Sequence, residues 1–307
     1  MSQTNRIDES FYVRGVKCAA WLYLPANHSQ GPVPAVVIGH GLGGVREWRL
    51  DNFAQAFRAA GYACLVFDYR GFGESDGAPR QVVEPEMLLE DWRAAIVYAR
   101  ARPEIDPDRI VLFGTSFSGG HVTRLGAEDQ RLAAIMAQGP FMDGPASLRM
   151  ADPIRLLRLM VSAIRDLAGE RLGKQPYLVD IGGAPCSNAL VRADEADFAS
   201  MIPEGVQSET RVAARIALKI MRYRPGQSTP QIGCPALYVL CEYDKLIPVK
   251  NSLKHARRAP HGEVHVVPYG HFDIYSGAPF RDVLNKELAF LARAVPIGAS
   301  SQVGSQR

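Results

Sequence analysis

Apolar positions in this chain come in two rhythms. Short runs dense in Val, Ile, Leu and Ala at 35–38, 63–67, 110–113, 133–137, 236–240 and 264–267 have the length and β-branched content of buried strands. Between them, apolar residues recur every three or four positions at about 47–60, 86–101, 117–127, 250–258 and 279–293, the period of amphipathic helices. Ahead of these, residues 11–24 read as two antiparallel strands turning at Gly15. Strands alternating with helices predict an α/β fold: one doubly wound, mostly parallel sheet of eight strands with helices on both faces.

The alternation breaks once. Between Phe141 and Pro230 lies far more chain than a crossover needs. The spacing predicts a core built from 1–141 and 230–307, and a helical cap over 142–229 inserted between the sixth and seventh strands. Pro153 should open an apolar helix, Gly182 and Gly183 mark a turn, and a last helix is expected around 208–223. Leu156, Leu157, Leu159, Met160 and Ile164 are expected to pack onto the core, with lining of an acyl pocket as the alternative. Arg211, Arg215, Lys219 and Arg222 would share one face of the last helix, as a solvated stripe or, less simply, as a site for an anionic substrate tail. The small and polar residues after Ile297 read as a frayed tail.

Composition narrows the function classes. Lys plus Arg number 35 against 32 Asp plus Glu, without a dense basic cluster, so nucleic-acid binding is not expected. The hydrophobic fraction of 47% is ample for a core, yet no run is long enough for a membrane span. The first ten residues are too polar for a signal peptide. Cys18, Cys64, Cys186, Cys234 and Cys241 are odd in number and unpaired by spacing, as buried thiols in a reducing compartment would be. A soluble cytoplasmic protein is expected, with a homodimer allowed. No histidine pair has metal-ligand spacing, so no metal site is expected.

The chemistry sits where apolar runs end. The strand at 110–113 runs into Gly114-Thr115-Ser116-Phe117-Ser118-Gly119-Gly120, small residues that allow a sharp strand-to-helix turn with Ser116 at its apex. A serine hydroxyl needs a base and oxyanion donors. Asp244, in Glu242-Tyr243-Asp244, and His271, in Gly270-His271-Phe272, each follow a later strand. In a parallel sheet these carboxyl ends lie together, so Ser116, His271 and Asp244 are expected to form a triad in the chain order serine, acid, histidine. His40-Gly41-Leu42-Gly43-Gly44 follows the strand at 35–38, which makes the backbone N–H groups of Leu42 and Phe117 the expected oxyanion donors.

Other assignments compete. Ser118 is a rival nucleophile, and Asp143, after the preceding strand, is a rival acid. Asp273 reads as a loop hydrogen-bonding residue and His40 as a brace for the oxyanion loop.

These segments, with Asp68-Tyr69-Arg70-Gly71-Phe72-Gly73-Glu74-Ser75, together resemble the α/β-hydrolase superfamily. The likeness is to its esterase-like, dienelactone-hydrolase-like and X-prolyl-dipeptidyl-peptidase-like members. Ser118 departs from the pattern, standing where the second elbow glycine is usual. The resemblance implies a serine hydrolase that needs no cofactor and cleaves an ester, thioester or lactone of a small to medium, partly apolar acyl substrate. A peptidase is the alternative, with Glu47, Glu242, Glu195 and Asp197 as candidates to bind a substrate amino terminus. A carbon–carbon-bond-cleaving or non-hydrolytic enzyme of secondary metabolism, or a binding protein that has lost catalysis, are the further readings.

Overall fold

Strand β1 (Arg6–Val13) turns back into β2 (Val16–Tyr23) through Arg14 and Gly15. Both turn residues have positive φ, 50° and 81°, as a two-residue hairpin turn requires. The chain then lays down β3 (Val33–Gly39), β4 (Ala63–Phe67), β5 (Ile105–Thr115) and β6 (Ala134–Gln138). After a long excursion come β11 (Ala236–Cys241) and β12 (Gly262–Val267). These eight strands form one sheet in the order β1-β2-β4-β3-β5-β6-β11-β12. The pairs β1–β2 and β2–β4 are antiparallel and the rest parallel. The structure, a computed structural model, describes residues 6–183, 187–192 and 201–298. Cys186, Glu195, Asp197 and the expected C-terminal tail from 299 onward therefore lie outside the described residues.

Every residue of β3 is buried, because helices cover both faces. Alternate side chains serve the two layers, as the two-residue period of a strand demands. Val36 and Ile38 share one core layer with Phe53 and Phe57 of α1 (Leu50–Ala59) and Val283 and Phe290 of the C-terminal helix (Gly277–Ala294). Val37 belongs to the other layer, with Trp92 of α2 (Pro85–Arg100) and Val122 of α3 (Phe117–Glu128). Strand β5 begins five residues before the apolar run that predicts it. Ile105 pairs with Val33, and a register shift then carries the polar stretch Asp106-Pro107-Asp108 into the strand.

The excursion between β6 and β11 mixes helices and short strands. It holds α4 (Gly144–Leu148), α5 (Pro153–Arg171), β7 (Leu178–Asp180), β8 (Gly182–Gly183), β9 (Val191–Arg192), β10 (Arg211–Ala213) and α6 (Ile216–Ile220). The single helix expected over 208–223 is not formed. Arg211–Ala213 pairs antiparallel with β7 instead, and only 216–220 is helical. The neighbours explain this: Ala213 N–H donates to the Gln81 carbonyl at 2.8 Å and Ala214 N–H to that of Tyr177 at 2.9 Å, which holds the backbone extended.

The basic stripe dissolves with that helix. Arg211 pairs with Glu209, Lys219 with Glu84 at 3.0 Å, and buried Arg215 holds Asp166 through two side-chain bonds of 2.7 and 3.0 Å. Helix α5 corrects a second expectation. Its packed face carries Arg155, Leu159, Ser162, Ala163 and Asp166, so Leu157 and Ile164 point to solvent instead of the core. Among the described residues, no helix is long and apolar enough to cross a membrane.

Candidate active site

The end of β5 and the start of α3 leave one residue between them, Ser116, with φ 57° and ψ −119°. Such a conformation is strained for a residue with a Cβ. Three bonds hold it. Ser116 N–H donates to the Gln138 carbonyl at 2.8 Å, and its own carbonyl accepts from Gly119 N–H at 3.0 Å and Phe141 N–H at 2.9 Å. Its flanks have no room for side chains: a Cβ on Gly114 would lie 2.3 Å from the Ser118 carbonyl oxygen, and one on Gly120 would lie 2.4 Å from that of Phe141.

His271 Nε2 stands 3.0 Å from Ser116 Oγ, and His271 Nδ1 stands 2.6 Å from Asp244 Oδ2. The other carboxylate oxygen of Asp244 accepts from Leu246 N–H and Ile247 N–H, both at 2.8 Å, so the acid is fixed from behind by its own loop. The fold thus brings Ser116, His271 and Asp244 together from three strand ends. Asp143 stands apart from them. It caps α4 by accepting from Ala146 N–H at 2.9 Å and receives Arg224 Nε at 2.8 Å. Asp273 accepts from Gly270 N–H at 2.7 Å within its loop.

Ser118 is fully buried. Its hydroxyl lies 2.7 Å from Tyr69 Oη and accepts from Trp92 Nε1 at 3.2 Å. The departure from the usual glycine therefore has a structural use beneath the elbow, in a polar cluster that also needs Tyr69 and Trp92. Tyr69 lies in the Asp68–Ser75 motif, whereas Trp92 carries no mark in the sequence beyond its place in a helical stretch.

The Gly-rich loop is anchored from the 68–75 turn. Asp68 accepts from Arg46 N–H at 2.8 Å and Glu74 N–H at 3.2 Å. A Cβ on Gly41 would sit 3.1 Å from that of Ser116, so a glycine lets the loop approach the elbow. Among the described residues, no backbone acceptor takes the N–H of Leu42 or Phe117. Buried His40 donates from Nδ1 to the Gly41 carbonyl at 3.0 Å. Burial pushes its pKa down to about 4, so it is neutral near pH 7 and donates this bond.

Two cavities meet at Ser116, Leu42 and His271. The smaller, about 70 Å³, is walled by Trp48, Leu50, Ile181, Met201 and Tyr275. The larger, about 130 Å³, runs under the excursion between Leu148, Ala151, Leu156, Leu159, Ala217 and Ile220. Both walls are chiefly apolar. Glu47 lines a separate outer groove, and Glu242 is exposed and lines neither cavity. Leu156 and Leu159, for which the sequence offered core packing or an acyl pocket, line the larger cavity, while Leu157, Met160 and Ile164 do not.

Comparison with known proteins agrees with this fold. The chain is 44% identical over 293 residues, 95% of its length and 96% of the relative's, to the quorum-quenching protein AidA of Acinetobacter baumannii. It is 28% identical to the polyketide transferase grgF of Penicillium sp, over 91% of this chain and 93% of that one. The crystal structure of GrgF superposes with a TM-score of 0.79 and 25% identity, covering 94% of this chain and 98% of the other. A thiohydrolase, aneE of Aspergillus aculeatus, is 32% identical over 173 residues, 56% of this chain and 53% of the relative. The sequence model described as "Serine aminopeptidase, S33" matches residues 30–273. With the eight-stranded sheet and these relatives, that match makes the chain an enzyme of the α/β-hydrolase superfamily, belonging to the serine aminopeptidase S33 family.

Proposed function

We propose that this enzyme is a serine hydrolase that cleaves an ester, thioester or lactone of a medium-sized acyl substrate through an acyl-enzyme. One observation carries the reading: His271 bridges Ser116 and Asp244 at the junction of two apolar cavities. In this scheme Ser116 Oγ attacks the carbonyl carbon as His271 Nε2 takes its proton. Asp244 holds the imidazole in the tautomer that accepts at Nε2 and stabilises the cation that forms. Leu42 N–H and Phe117 N–H receive the oxyanion, and losing such a donor typically costs about 3 to 4 kcal/mol of transition-state stabilisation. His271 then protonates the leaving oxygen or sulfur, and water, activated by the same imidazole, releases the acid. No cofactor enters these steps.

The larger cavity suits the acyl chain and the smaller one the leaving group, since both adjoin the nucleophile and the former is about 130 Å³ against about 70 Å³, with the excursion here read as the cap over 142–229. Excluding bulk water from such a site strengthens its electrostatics. The printed names of the relatives, a quorum-quenching protein, a polyketide transferase and a thiohydrolase, make acylated signals and thioesters the substrates to test first. A peptidase is less well supported, because Glu47 and Glu242 stand away from the cavities.

Intact-mass spectrometry after a fluorophosphonate probe tests the nucleophile. One adduct is expected on the parent chain and none on Ser116→Ala, with p-nitrophenyl ester hydrolysis falling by about 10⁴ or more. Labelling that persists in Ser116→Ala would sink the assignment.

A further inference from the structure

Helix α5 is apolar on its outer side as well. Ile154, Leu157, Val161 and Ile164 are 54, 66, 60 and 62% exposed. Their spacing alternates three, four and three residues, the seam along which two helices pack. A contiguous exposed apolar row of this kind marks an interaction surface. We propose that it is the interface between two copies of this chain, related by a twofold axis with the α5 helices antiparallel. The proposal stands independently of the chemistry assigned to Ser116.

The row is complementary to itself. Reversing one helix sets Ile154 against the partner's Ile164 and Leu157 against the partner's Val161, and the twofold axis repeats both contacts. Charge selects the same arrangement. Asp152, the N-cap of α5, falls beside the partner's Arg165, both being exposed. A parallel pair would instead set Arg158, Arg165 and Arg171 each beside its own mate. In the antiparallel pair only Arg158, near the axis, meets its like. An anionic lipid surface would attract the arginines but repel Asp152 and Glu170, so a second copy is the better match.

Light scattering on the full chain at tens of micromolar should give twice the 33.6 kDa chain mass. Leu157→Lys with Val161→Lys should halve that mass while leaving the circular dichroism unchanged, because both positions are exposed in the single chain. A monomeric parent chain, or a dimer that persists in the double variant, would overturn the proposal. So would a monomeric parent that co-sediments with phosphatidylglycerol vesicles, which would give the face to lipid. Cysteine cross-linking reads the register: Leu157→Cys with Val161→Cys should oxidise to a covalent dimer and Val161→Cys alone should not. Efficient cross-linking by the single variant would mean a parallel pair and overturn the arrangement.

Discussion

The loops after β6 and β11 are alike in sequence and different in use. Each leaves the carboxyl end of a parallel strand and each places an aspartate a few residues on, Asp143 in one and Asp244 in the other. Asp143 turns into its own chain, capping α4 and holding Arg224. Asp244 is backed by two amides of its own loop, and its free oxygen faces His271. A strand end brings a carboxylate to the right edge of the sheet; the groups that saturate it decide whether it is available to the histidine.

The sharpest way to break this comparison is to neutralise each acid in turn. Asp244→Asn should lower kcat by about 10⁴, the effect of presenting the wrong tautomer in an otherwise intact triad. Asp143→Asn should leave kcat near that of the parent chain and instead cost about 1 to 3 kcal/mol of folding stability, by weakening a buried, charge-assisted bond. Steady-state ester kinetics and urea melts on both variants decide the matter. The opposite pattern would exchange the two roles.

The same division runs through the whole molecule. Where backbone geometry dictates residue type, the sequence is legible: the elbow needs glycines at 114, 119 and 120 because backbone atoms crowd there, and buried strands need apolar runs. The order of the motifs then follows from the order of the parallel strands. The excursion obeys no such rule. Val212, Ala213 and Ala214 fit a helical pattern, yet bonds to Gln81 and Tyr177 draw them out of it. In α5 the packed face carries Arg155, Ser162 and Asp166 while Ile154, Leu157, Val161 and Ile164 face water, so apolarity along that helix misstates which side is inside. Tertiary partners decide both cases, and those partners are remote in sequence.

A smaller effect sharpens the contrast by testing the excursion as the determinant of acyl length. Ala217 is buried on the wall of the larger cavity. Ala217→Phe should shorten that lobe while leaving Ser116 and His271 in place. Hydrophobic pockets discriminate by about 1 to 3 kcal/mol per methylene, so kcat/KM for long-chain esters should fall about 10- to 100-fold while acetyl esters change little. A series of p-nitrophenyl esters measures this directly. Equal losses across the series would place the acyl chain elsewhere.

The smallest effect concerns two serines that the sequence cannot separate on chemistry alone. Ser116 and Ser118 both stand among small residues after β5, but one has a histidine at 3.0 Å and the other has Tyr69 and Trp92. Ser118→Ala removes a buried hydroxyl and leaves the Trp92 indole N–H with Tyr69 Oη, 2.7 Å away, as its remaining acceptor. Because that acceptor survives, the stability loss should fall at the lower end of the range for a lost buried bond, about 1 kcal/mol. Probe labelling should stay complete and kcat close to that of the parent chain. A large fall in kcat with unchanged stability would mean that the Tyr69–Ser118–Trp92 cluster positions the elbow for catalysis and does more than fill the space beneath it. The elbow's conformation would then depend on this cluster as well as on the three backbone bonds around Ser116.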